Sequence, residues 1–241
     1  MKRMIRSALC DVLPLQMPTL TVEYLVQTAF AFSPTARFVQ VGAYDGVSND
    51  PIAQRLRENP GWSGLSIEPI PDIFRELIAN RGESTNYKYA NVAVGTQAGE
   101  LSFYSVDPNG DDDWLRQVSS FDRAHVERHI AGRKRCRIVE HNIQVQTFDA
   151  VLRDADIARY DLLVIDAEGH DLEILRQAVP TLSTCRMVII EVDHLSGSDL
   201  GEAKQILANK GFTVFHVGGD YAAIRSPDRW IRVGYRDAIV L

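Results

Sequence analysis

The stretch that decides the fold is Phe38-Val39-Gln40-Val41-Gly42-Ala43-Tyr44-Asp45-Gly46, an apolar run that ends in a turn bounded by two glycines. Apolar β-branched and aromatic residues followed by glycine predict a short buried strand. The chain continues through Asn49-Asp50-Pro51, where Asn49 or Asp50 can cap a helix whose first turn holds the proline. This stretch therefore predicts a strand, a glycine turn and a helix in that order.

The same alternation returns along the rest of the chain. Further strands are predicted over residues 64–68, 87–94, 160–166 and 186–192, and helical patterns follow the first, third and fourth of these. Alternating strands and helices predict an α/β fold, with a mostly parallel sheet that helices cover on both faces.

The end of the pattern carries its own boundary signals. Ser198 is the predicted N-cap of the last helix, and Gly211 is its predicted C-terminal stop. Residues 212–217 and 221–225 predict two strands joined at Gly218-Gly219.

Two segments fall outside the alternation. Residues 1–35 predict an N-terminal helical segment that packs on the main domain, forms a dimer contact or covers a pocket. Residues 36–241 predict a single main domain with an insertion at about 96–148. The insertion has the pattern of an extra strand near Phe103, a polar loop over 107–113 and a short helix that begins near His125.

Composition excludes several classes of protein. The chain has 241 residues, with 26 Lys and Arg against 32 Asp and Glu, so its net charge of −6 argues against a general nucleic-acid binder. Its three cysteines form no Cys-x-x-Cys pair, which favours a reducing compartment. The N-terminal apolar run is too short for a signal peptide or a membrane span. We therefore expect a cytoplasmic protein with no membrane partner and no nucleic-acid partner.

The glycine turn indicates the kind of ligand. In open parallel sheets, ligands bind beyond the carboxyl ends of the strands, where this turn lies. The dinucleotide pattern of three glycines fails, because Tyr44 and Val47 stand at its second and third positions. Glu68 ends the next strand, about 20 residues downstream, where a carboxylate can accept hydrogen bonds from ribose hydroxyls. The turn therefore favours a nucleoside-type ligand without a pyrophosphate.

Several motifs in the sequence resemble those of a known family. Residues 38–46 resemble the first motif of class I S-adenosylmethionine-dependent methyltransferases, and the ordered set of motifs over about 37–225 resembles the FkbM family. The other segments that carry the resemblance are Ile67-Glu68-Pro69, Tyr89-Ala90-Asn91-Val92-Ala93-Val94-Gly95, Gln146-Thr147-Phe148-Asp149 and Leu163-Val164-Ile165-Asp166-Ala167-Glu168-Gly169-His170-Asp171-Leu172-Glu173-Ile174-Leu175. The chain departs from the family at Phe148, usually leucine, and at Val164, usually lysine.

The resemblance implies a Rossmann-like fold with a mostly parallel seven-stranded sheet and an antiparallel final strand. It implies methyl transfer, usually to oxygen, with S-adenosylmethionine as the cofactor. By position, the residues expected to bind the cofactor are Gly42, Ala43, Asp45 and Gly46 at its methionine part, Glu68 at the ribose, Pro69 and Asn91 near the adenine, and Ser119 and Ser120 nearby. Asn49, beside the turn, and Asp166, which can bind the cofactor's amino group, complete the expected set.

The candidate catalytic residues follow the fourth and fifth strands of the pattern. Proton removal from a hydroxyl acceptor needs a base or a metal, and histidine is the side chain whose unperturbed pKa suits a base near neutrality, which makes His170 a candidate with Asp166 placed to orient it. Glu191 is expected to reach the substrate, and His194 is an alternative base. Carboxylates here suit a hard cation such as magnesium, but their convergence is not evident from the sequence, so no metal ligand is predicted.

Two residue groups are open to a second interpretation. Glu168 and Asp171 either orient the substrate or complement the positive end of the following helix. The histidines of the insertion, His125, His129 and His141, are expected at the surface or in a substrate loop.

We expect an O-methyltransferase that acts on a sugar, a glycan precursor or a small natural product. Two alternatives remain open from the sequence: a nucleotide-dependent oxidoreductase on a similar sheet, and a non-catalytic nucleoside-binding domain. A homodimer is compatible with the apolar N-terminal helix.

Overall fold

The structure is a computed structural model that describes residues 20–110, 113–225 and 239–240. Its strands are β1 (Arg37–Val41), β2 (Ser63–Ile67), β3 (Tyr87–Ala90), β4 (Ala93–Val94), β5 (Gly99–Asp107), β6 (Ser119–Ser120), β7 (Arg137–Gln146), β8 (Leu162–Ile165), β9 (Met187–Glu191), β10 (Phe212–Val217), β11 (Asp220–Arg225) and β12 (Ile239–Val240). Its α-helices are α1 (Val22–Ala29), α2 (Ala53–Glu58), α3 (Pro71–Arg81), α4 (Arg123–Ile130), α5 (Phe148–Asp154), α6 (Asp171–Ala178) and α7 (Gly197–Asn209). Short 3-10 helices cover Asp113–Gln117 and Val179–Thr181.

The main sheet confirms the predicted α/β class. Its strand order is β12-β10-β11-β9-β8-β1-β2-β3, and the five strands from β9 to β3 are parallel. Strand β11 inserts antiparallel between β9 and β10, as expected of the final strand of a Rossmann-like methyltransferase sheet. The two-residue strand β12 adds an eighth strand at the edge beside β10.

Both faces of this sheet are buried, which explains why Phe38, Val39 and Val41 of β1 are all apolar and why its polar residue Gln40 is buried too. Phe38 and Val39 point to opposite faces, as neighbouring residues of a strand do, and both are fully buried. Val39 packs in the core that includes α5, α6 and α7. Phe38 packs with Trp62 in the core that includes α1 and α2. Burial on both faces is typical of parallel sheets.

The insertion forms most of a second sheet, with strand order β4-β7-β5-β6, and β4 comes from the residues just before it. The single strand predicted over 87–94 is therefore wrong: β3 pairs with β2 of the main sheet, whereas β4 pairs with β7 of the second sheet. Asn91 lies at the break, where its side-chain amide donates hydrogen bonds to the carbonyls of Glu68 and Pro69. These bonds hold the chain where it leaves one sheet for the other.

Two predicted helix caps are also corrected. Ser196, not Ser198, caps α7, because its hydroxyl accepts a hydrogen bond from the amide of Asp199. Helix α2 begins only at Ala53 and has no side-chain cap of its own. Asp50 accepts the amide of Ile52 instead and pairs with a buried arginine.

The N-terminal segment predicted over 1–35 lies partly outside the described residues. Within the described part, Thr21 caps α1, and Leu25 and Val26 on this helix are fully buried against the main sheet. No helix in the described ranges is long and apolar enough to cross a membrane.

The glycine turn after β1 is held by backbone contacts with both neighbouring strands. The amides of Gly42 and Ala43 both donate to the carbonyl of Ile67 in β2, and the amide of Asp166 donates to the carbonyl of Val41. Gly42 has a φ of +76°, and a Cβ there would overlap with the backbone carbonyl of Asp166. Glycine is therefore required at 42 by the close approach of two strand ends.

Replacing Gly42 with alanine tests this packing. We expect Gly42→Ala to lower the free energy of unfolding by about 3 kcal/mol or more, since the new methyl group has no space. Gly82→Ala is the matched control, because Gly82 has a similar φ of +79° and no atom within 4 Å of the added Cβ. Urea unfolding should show a smaller cost of about 1–3 kcal/mol for the control, which comes from the backbone conformation of Gly82 alone (φ +79°, ψ 160°). Equal losses in the two variants would contradict the packing explanation.

Candidate active site

A cavity of about 570 Å³ opens at the carboxyl ends of the central strands, the expected position for a ligand in such a sheet. This volume lies within the usual range for small-molecule sites, about 300–1,000 Å³. The sequence-predicted residues that line it are Gly42, Ala43, Asn49, Glu68, Pro69, Ser119, Asp166, His170 and Glu191. The second sheet contributes Phe103 and Phe121, and residues 20–23 close one side. The cavity thus joins the main sheet, the insertion and the start of α1.

Glu68 joins the end of β2 to the glycine turn. Its side chain is buried, with one carboxylate oxygen accepting a hydrogen bond from the amide of Tyr44 at 3.1 Å and the other from the amide of Ile70 at 2.9 Å. Burial raises the pKa of Glu68 to about 7, although the two amides act to lower it. The turn and the carboxylate therefore lie on the same rim of the cavity.

The other predicted residues of the turn have structural contacts. The Asp45 carboxylate accepts hydrogen bonds from the amides of Val47 and Ser48 and from the Ser48 hydroxyl. Partial burial opposes the change, but these bonds lower the pKa of Asp45 below its usual value. A Cβ at Gly46 would meet side chains of α3. Neither residue borders the cavity, and both shape the turn that does.

Three further predicted residues do not line the cavity but contact residues that do. Asn91 contributes only through its hydrogen bonds to the carbonyls of Glu68 and Pro69. The Ser120 hydroxyl donates to the carbonyl of Glu168 at 3.2 Å. His194 lies just outside the lining, where its Nε2 is 3.6 Å from a carboxylate oxygen of Glu191.

A buried ion pair supports the turn from below. Arg81 of α3 pairs with Asp50, and their side chains are only 4% and 2% exposed. The Arg81 guanidinium also donates to Gln40 of β1 at 2.6 Å and to the Ser66 hydroxyl of β2. Gln40 and Asp50 both border the cavity. The ion pair and hydrogen bonds of Arg81 therefore hold in place the cavity residues next to the glycine turn.

Acidic side chains dominate the opposite rim. Asp166 opens into the cavity, where enclosure by the protein and then the charge of Glu168 raise its pKa. Burial, and then the charge of Asp166, raises the pKa of Glu191 to about 10. Burial also raises the pKa of Asp220 to about 7, with Asp193 adding to the effect. Carboxyl groups with raised pKa values, gathered in one cavity, are typical of functional sites.

Asp171 makes structural contacts that neither of its two sequence interpretations describes. It is 1% exposed, and its carboxylate accepts hydrogen bonds from the amides of Ala167 at 2.7 Å and Gly169 at 2.9 Å. Asp171 therefore holds the turn between β8 and α6. Glu168 lies in that turn with a φ of +49°, a backbone conformation that favours glycine. The backbone at Glu168 is therefore strained.

Histidines meet at this rim. His170 borders the cavity, and its Nε2 is buried with no hydrogen-bond partner among the described residues. His194 Nε2 lies 3.2 Å from a carboxylate oxygen of Glu168, and this bond raises the pKa of His194. His125 lies 3.7 Å from the same oxygen and is only 8% exposed. His125 was expected at the surface or in a substrate loop, because nothing in the local sequence shows that α4 turns it inward.

Acidic side chains supply the charge of the cavity lining. No lysine or arginine borders the cavity within residues 20–110 and 113–225, whereas eight carboxylates do. They are Glu23, Asp50, Glu68, Asp166, Glu168, Glu191, Asp193 and Asp220. The cavity can accept many hydrogen bonds but lacks side chains that neutralise phosphate.

Comparisons with known proteins bear on the same region. The sequence profile of the family described as "Methyltransferase FkbM domain" matches residues 40–214. No curated protein matches the chain.

Among solved structures the chain is similar to the fibrillarin pre-rRNA processing protein of Methanococcus jannaschii, with 12% identity, coverage of 81% of this chain and 68% of that chain, and a TM-score of 0.41. It is similar to a TehB-like SAM-dependent methyltransferase of Corynebacterium glutamicum, with 11% identity, coverage of 92% and 93%, and a TM-score of 0.38. It is also similar to Aeropyrum pernix fibrillarin with natively bound S-adenosyl-L-methionine, with 11% identity, coverage of 78% and 65%, and a TM-score of 0.37.

The buried ion pair under the turn gives a testable prediction. We expect Arg81→Met to lower the free energy of unfolding by about 3–5 kcal/mol, because it leaves the Asp50 carboxylate buried and unpaired. The double variant Arg81→Met, Asp50→Asn should recover part of this loss. Arg75→Met is the matched control, since its pair with Asp72 is largely exposed and contributes less than about 1 kcal/mol. Similar losses for Arg81→Met and Arg75→Met in urea would contradict the role of burial.

Proposed function

The chain belongs to the FkbM methyltransferase family, and we propose that it transfers a methyl group from S-adenosylmethionine to a hydroxyl of an uncharged, hydroxyl-rich acceptor such as a sugar, a glycan precursor or a small natural product. The observation that carries the proposal is the cavity itself. A buried carboxylate on one rim suits a ribose, and unpaired or acidic proton acceptors occupy the other rim.

The cofactor fits the hydrogen-bonding capacity of Glu68. A carboxylate offers about four lone-pair positions. Two of these are used by the amides of Tyr44 and Ile70, which leaves capacity for the two hydroxyls of a ribose. The remainder of the cofactor would be held by the cavity-lining residues of the turn, Gly42 and Ala43, with Asp166 near its amino group. When bound, S-adenosylmethionine supplies an electrophilic methyl group on a sulfonium.

The residues that line the cavity also argue against the alternative function of a nucleotide-dependent oxidoreductase. A dinucleotide carries a pyrophosphate that needs backbone amides or cations. Tyr44 occupies the position where the fingerprint glycine would allow that approach, and no lysine or arginine is among the described lining residues. Charge complementarity therefore supports an adenosyl cofactor without phosphates.

His170 is the residue we propose as general base. His170 borders the cavity, and its buried Nε2 has no hydrogen-bond partner within the described part of the chain, so a rotation of the ring that turns this nitrogen to the cavity lets it accept the proton of an acceptor hydroxyl. As the O–H bond breaks, the oxygen forms a bond to the methyl carbon, and the electron pair of the C–S bond stays on sulfur. Glu191 and Asp166, whose raised pKa values favour the protonated form, can donate or accept hydrogen bonds at the acceptor's other hydroxyls.

The acidic lining also narrows the acceptor. The carboxyl groups of the lining that are ionised repel phosphorylated or otherwise anionic molecules, those that are protonated offer no positive charge to hold them, and the protein's net charge of −6 adds to this repulsion. An uncharged polyol instead gains hydrogen bonds to the same side chains. These observations support a neutral small-molecule or saccharide acceptor over a nucleic acid.

The raised pKa of Glu68 predicts a pH dependence of cofactor binding. The ionised carboxylate accepts hydrogen bonds from ribose better than the protonated form, and with a pKa of about 7 the ionised fraction falls as pH decreases through 7. Calorimetric titration with S-adenosylhomocysteine should therefore show affinity about tenfold weaker near pH 6 than near pH 8.

Glu68→Gln should weaken binding near pH 8 and remove most of this pH dependence. Glu202→Gln is the matched control, because Glu202 is an exposed carboxylate on α7 that pairs with Arg176 and should leave the profile unchanged. A wild-type profile that is flat over this range would overturn the role given to Glu68. Absence of binding at every pH would overturn the assignment of the cofactor.

The transfer itself is tested with radiolabelled S-adenosylmethionine and a panel of neutral sugars, phenols, amines and phosphorylated sugars. We expect product only with neutral hydroxyl acceptors, and a loss of kcat of about 100-fold or more in His170→Gln. His141→Gln is the control, since His141 lies in the second sheet with its ring nitrogen on the Ser105 hydroxyl. Methylation of amines alone, or an undiminished kcat in His170→Gln, would contradict the proposed chemistry.

A further inference from the structure

Three side chains from distant parts of the chain meet beside the cavity. His125 belongs to α4 in the insertion, Glu168 follows β8, and His194 follows β9. Their nearest donor atoms all lie within 4.8 Å of one another. His194 Nε2 is 3.2 Å and His125 Nε2 is 3.7 Å from the same Glu168 oxygen.

The three side chains are held in place by buried contacts, unlike a chance grouping at the surface. His125 Nε2 is buried, directed at Glu168 and without a hydrogen-bond partner among the described residues, which is costly for a polar atom unless a partner binds there. The backbone at His125 is also held in place, because its carbonyl oxygen contacts His129 Nδ1 at 3.0 Å. Glu168 is held in a left-handed backbone conformation, and its carbonyl accepts the Ser120 hydroxyl.

We propose that His125, Glu168 and His194 bind a divalent transition-metal ion. Two imidazoles and one carboxylate suit Zn²⁺, Fe²⁺, Co²⁺ or Mn²⁺, whereas Mg²⁺ prefers oxygen ligands alone. Metal–ligand distances near 2.1 Å place tetrahedral donor atoms about 3.4 Å apart. The two histidine-to-glutamate distances bracket this value, and all three donor atoms lie within 4.8 Å of one another, so side-chain rotations that draw the two imidazoles together would close the site.

The site adjoins the cavity in which methyl transfer is proposed. Glu168 borders that cavity, and Glu191, which contacts His194 at 3.6 Å, has a buried carboxylate oxygen without a partner among the described residues. A metal with three protein ligands keeps at least one position open for an exchangeable ligand. We assign that position to an oxygen of the acceptor.

This role in transfer rests on the proposed function, although the metal site itself does not. A metal-bound hydroxyl is more acidic, so it loses its proton more readily to the His170 imidazole. The oxygen then forms its bond to the methyl carbon while the C–S electron pair remains on sulfur. The metal undergoes no change of oxidation state, and the product ether is neutral and leaves more easily than the alkoxide.

The test uses the full chain after treatment with a chelator, with Co²⁺ as the probe. We expect one equivalent of Co²⁺ to bind and to give the visible absorption bands of a site with nitrogen and oxygen ligands. His125→Ala and His194→Ala should each weaken binding by about 100-fold or more, since loss of an outer-shell partner alone can cost that much. His141→Ala, which removes a histidine of the second sheet, should bind Co²⁺ like the wild type.

A substituted ligand keeps the test decisive if an alanine variant folds poorly. His194→Cys should still bind Co²⁺ and should gain an intense near-ultraviolet sulfur-to-metal band, which arises only if residue 194 contacts the metal. The absence of this band, or equal affinity in the wild type and both alanine variants, would overturn the site.

Titration of the same samples with S-adenosylhomocysteine reports cofactor binding separately. Metal binding without cofactor binding would retain the metal site and reject the proposed function. Cofactor binding without Co²⁺ binding would retain the proposed function, and His125, Glu168 and His194 would then be an ion-paired group of the pocket wall.

Discussion

The buried carboxylate of Glu68 is the constraint on which the rest of the site depends. It is enclosed at the end of β2, where it joins the turn after β1 to the start of α3 through two backbone amides. An ionised carboxylate in such a position is stable only if donors surround it. The turn must therefore present the amide of Tyr44 inward, and this requirement fixes the left-handed conformation of that residue. The raised pKa of Glu68 indicates that two amides only partly replace the water it has lost, so a further donor from a ligand is favourable.

The opposite rim is organised by repulsion as well as by contacts. After burial, the charge of Glu168 raises the pKa of Asp166, and the charges of Asp166 and Glu168 raise the pKa of Glu191, while the cavity supplies no lysine or arginine among its described residues. Such a cluster is tolerated if some of its carboxyl groups are protonated, if histidines approach it, or if a cation binds. His194 approaches Glu168, and this hydrogen bond raises the pKa of His194, which favours a positive charge beside the carboxylates.

The insertion completes the site because it folds back over the carboxyl ends of the main strands. Its second sheet shares Asn91 and the following residues with the exit of β3, so its position is coupled to the same loop that holds Glu68. It then places Phe121 against His170, with ring centres 5.7 Å apart, and brings His125 to Glu168. The cavity is thus assembled from three parts of the chain: the main sheet, the insertion and the start of α1.

The sequence by itself determined the α/β class, the order of strands and helices, and the positions of the glycine turn and Glu68, because these follow from local hydrophobic periodicity and from residue spacing within one strand–helix unit. It also determined the family, through motifs in a fixed order. Only the tertiary structure decided that Gly42 makes room for the carbonyl of Asp166, that Asp171 serves the backbone, and that residues 87–94 divide between two sheets. The meeting of His125 with His194 was likewise beyond local pattern, since contacts between residues far apart in sequence depend on how the insertion packs, and neither side chain differs locally from a histidine at the surface.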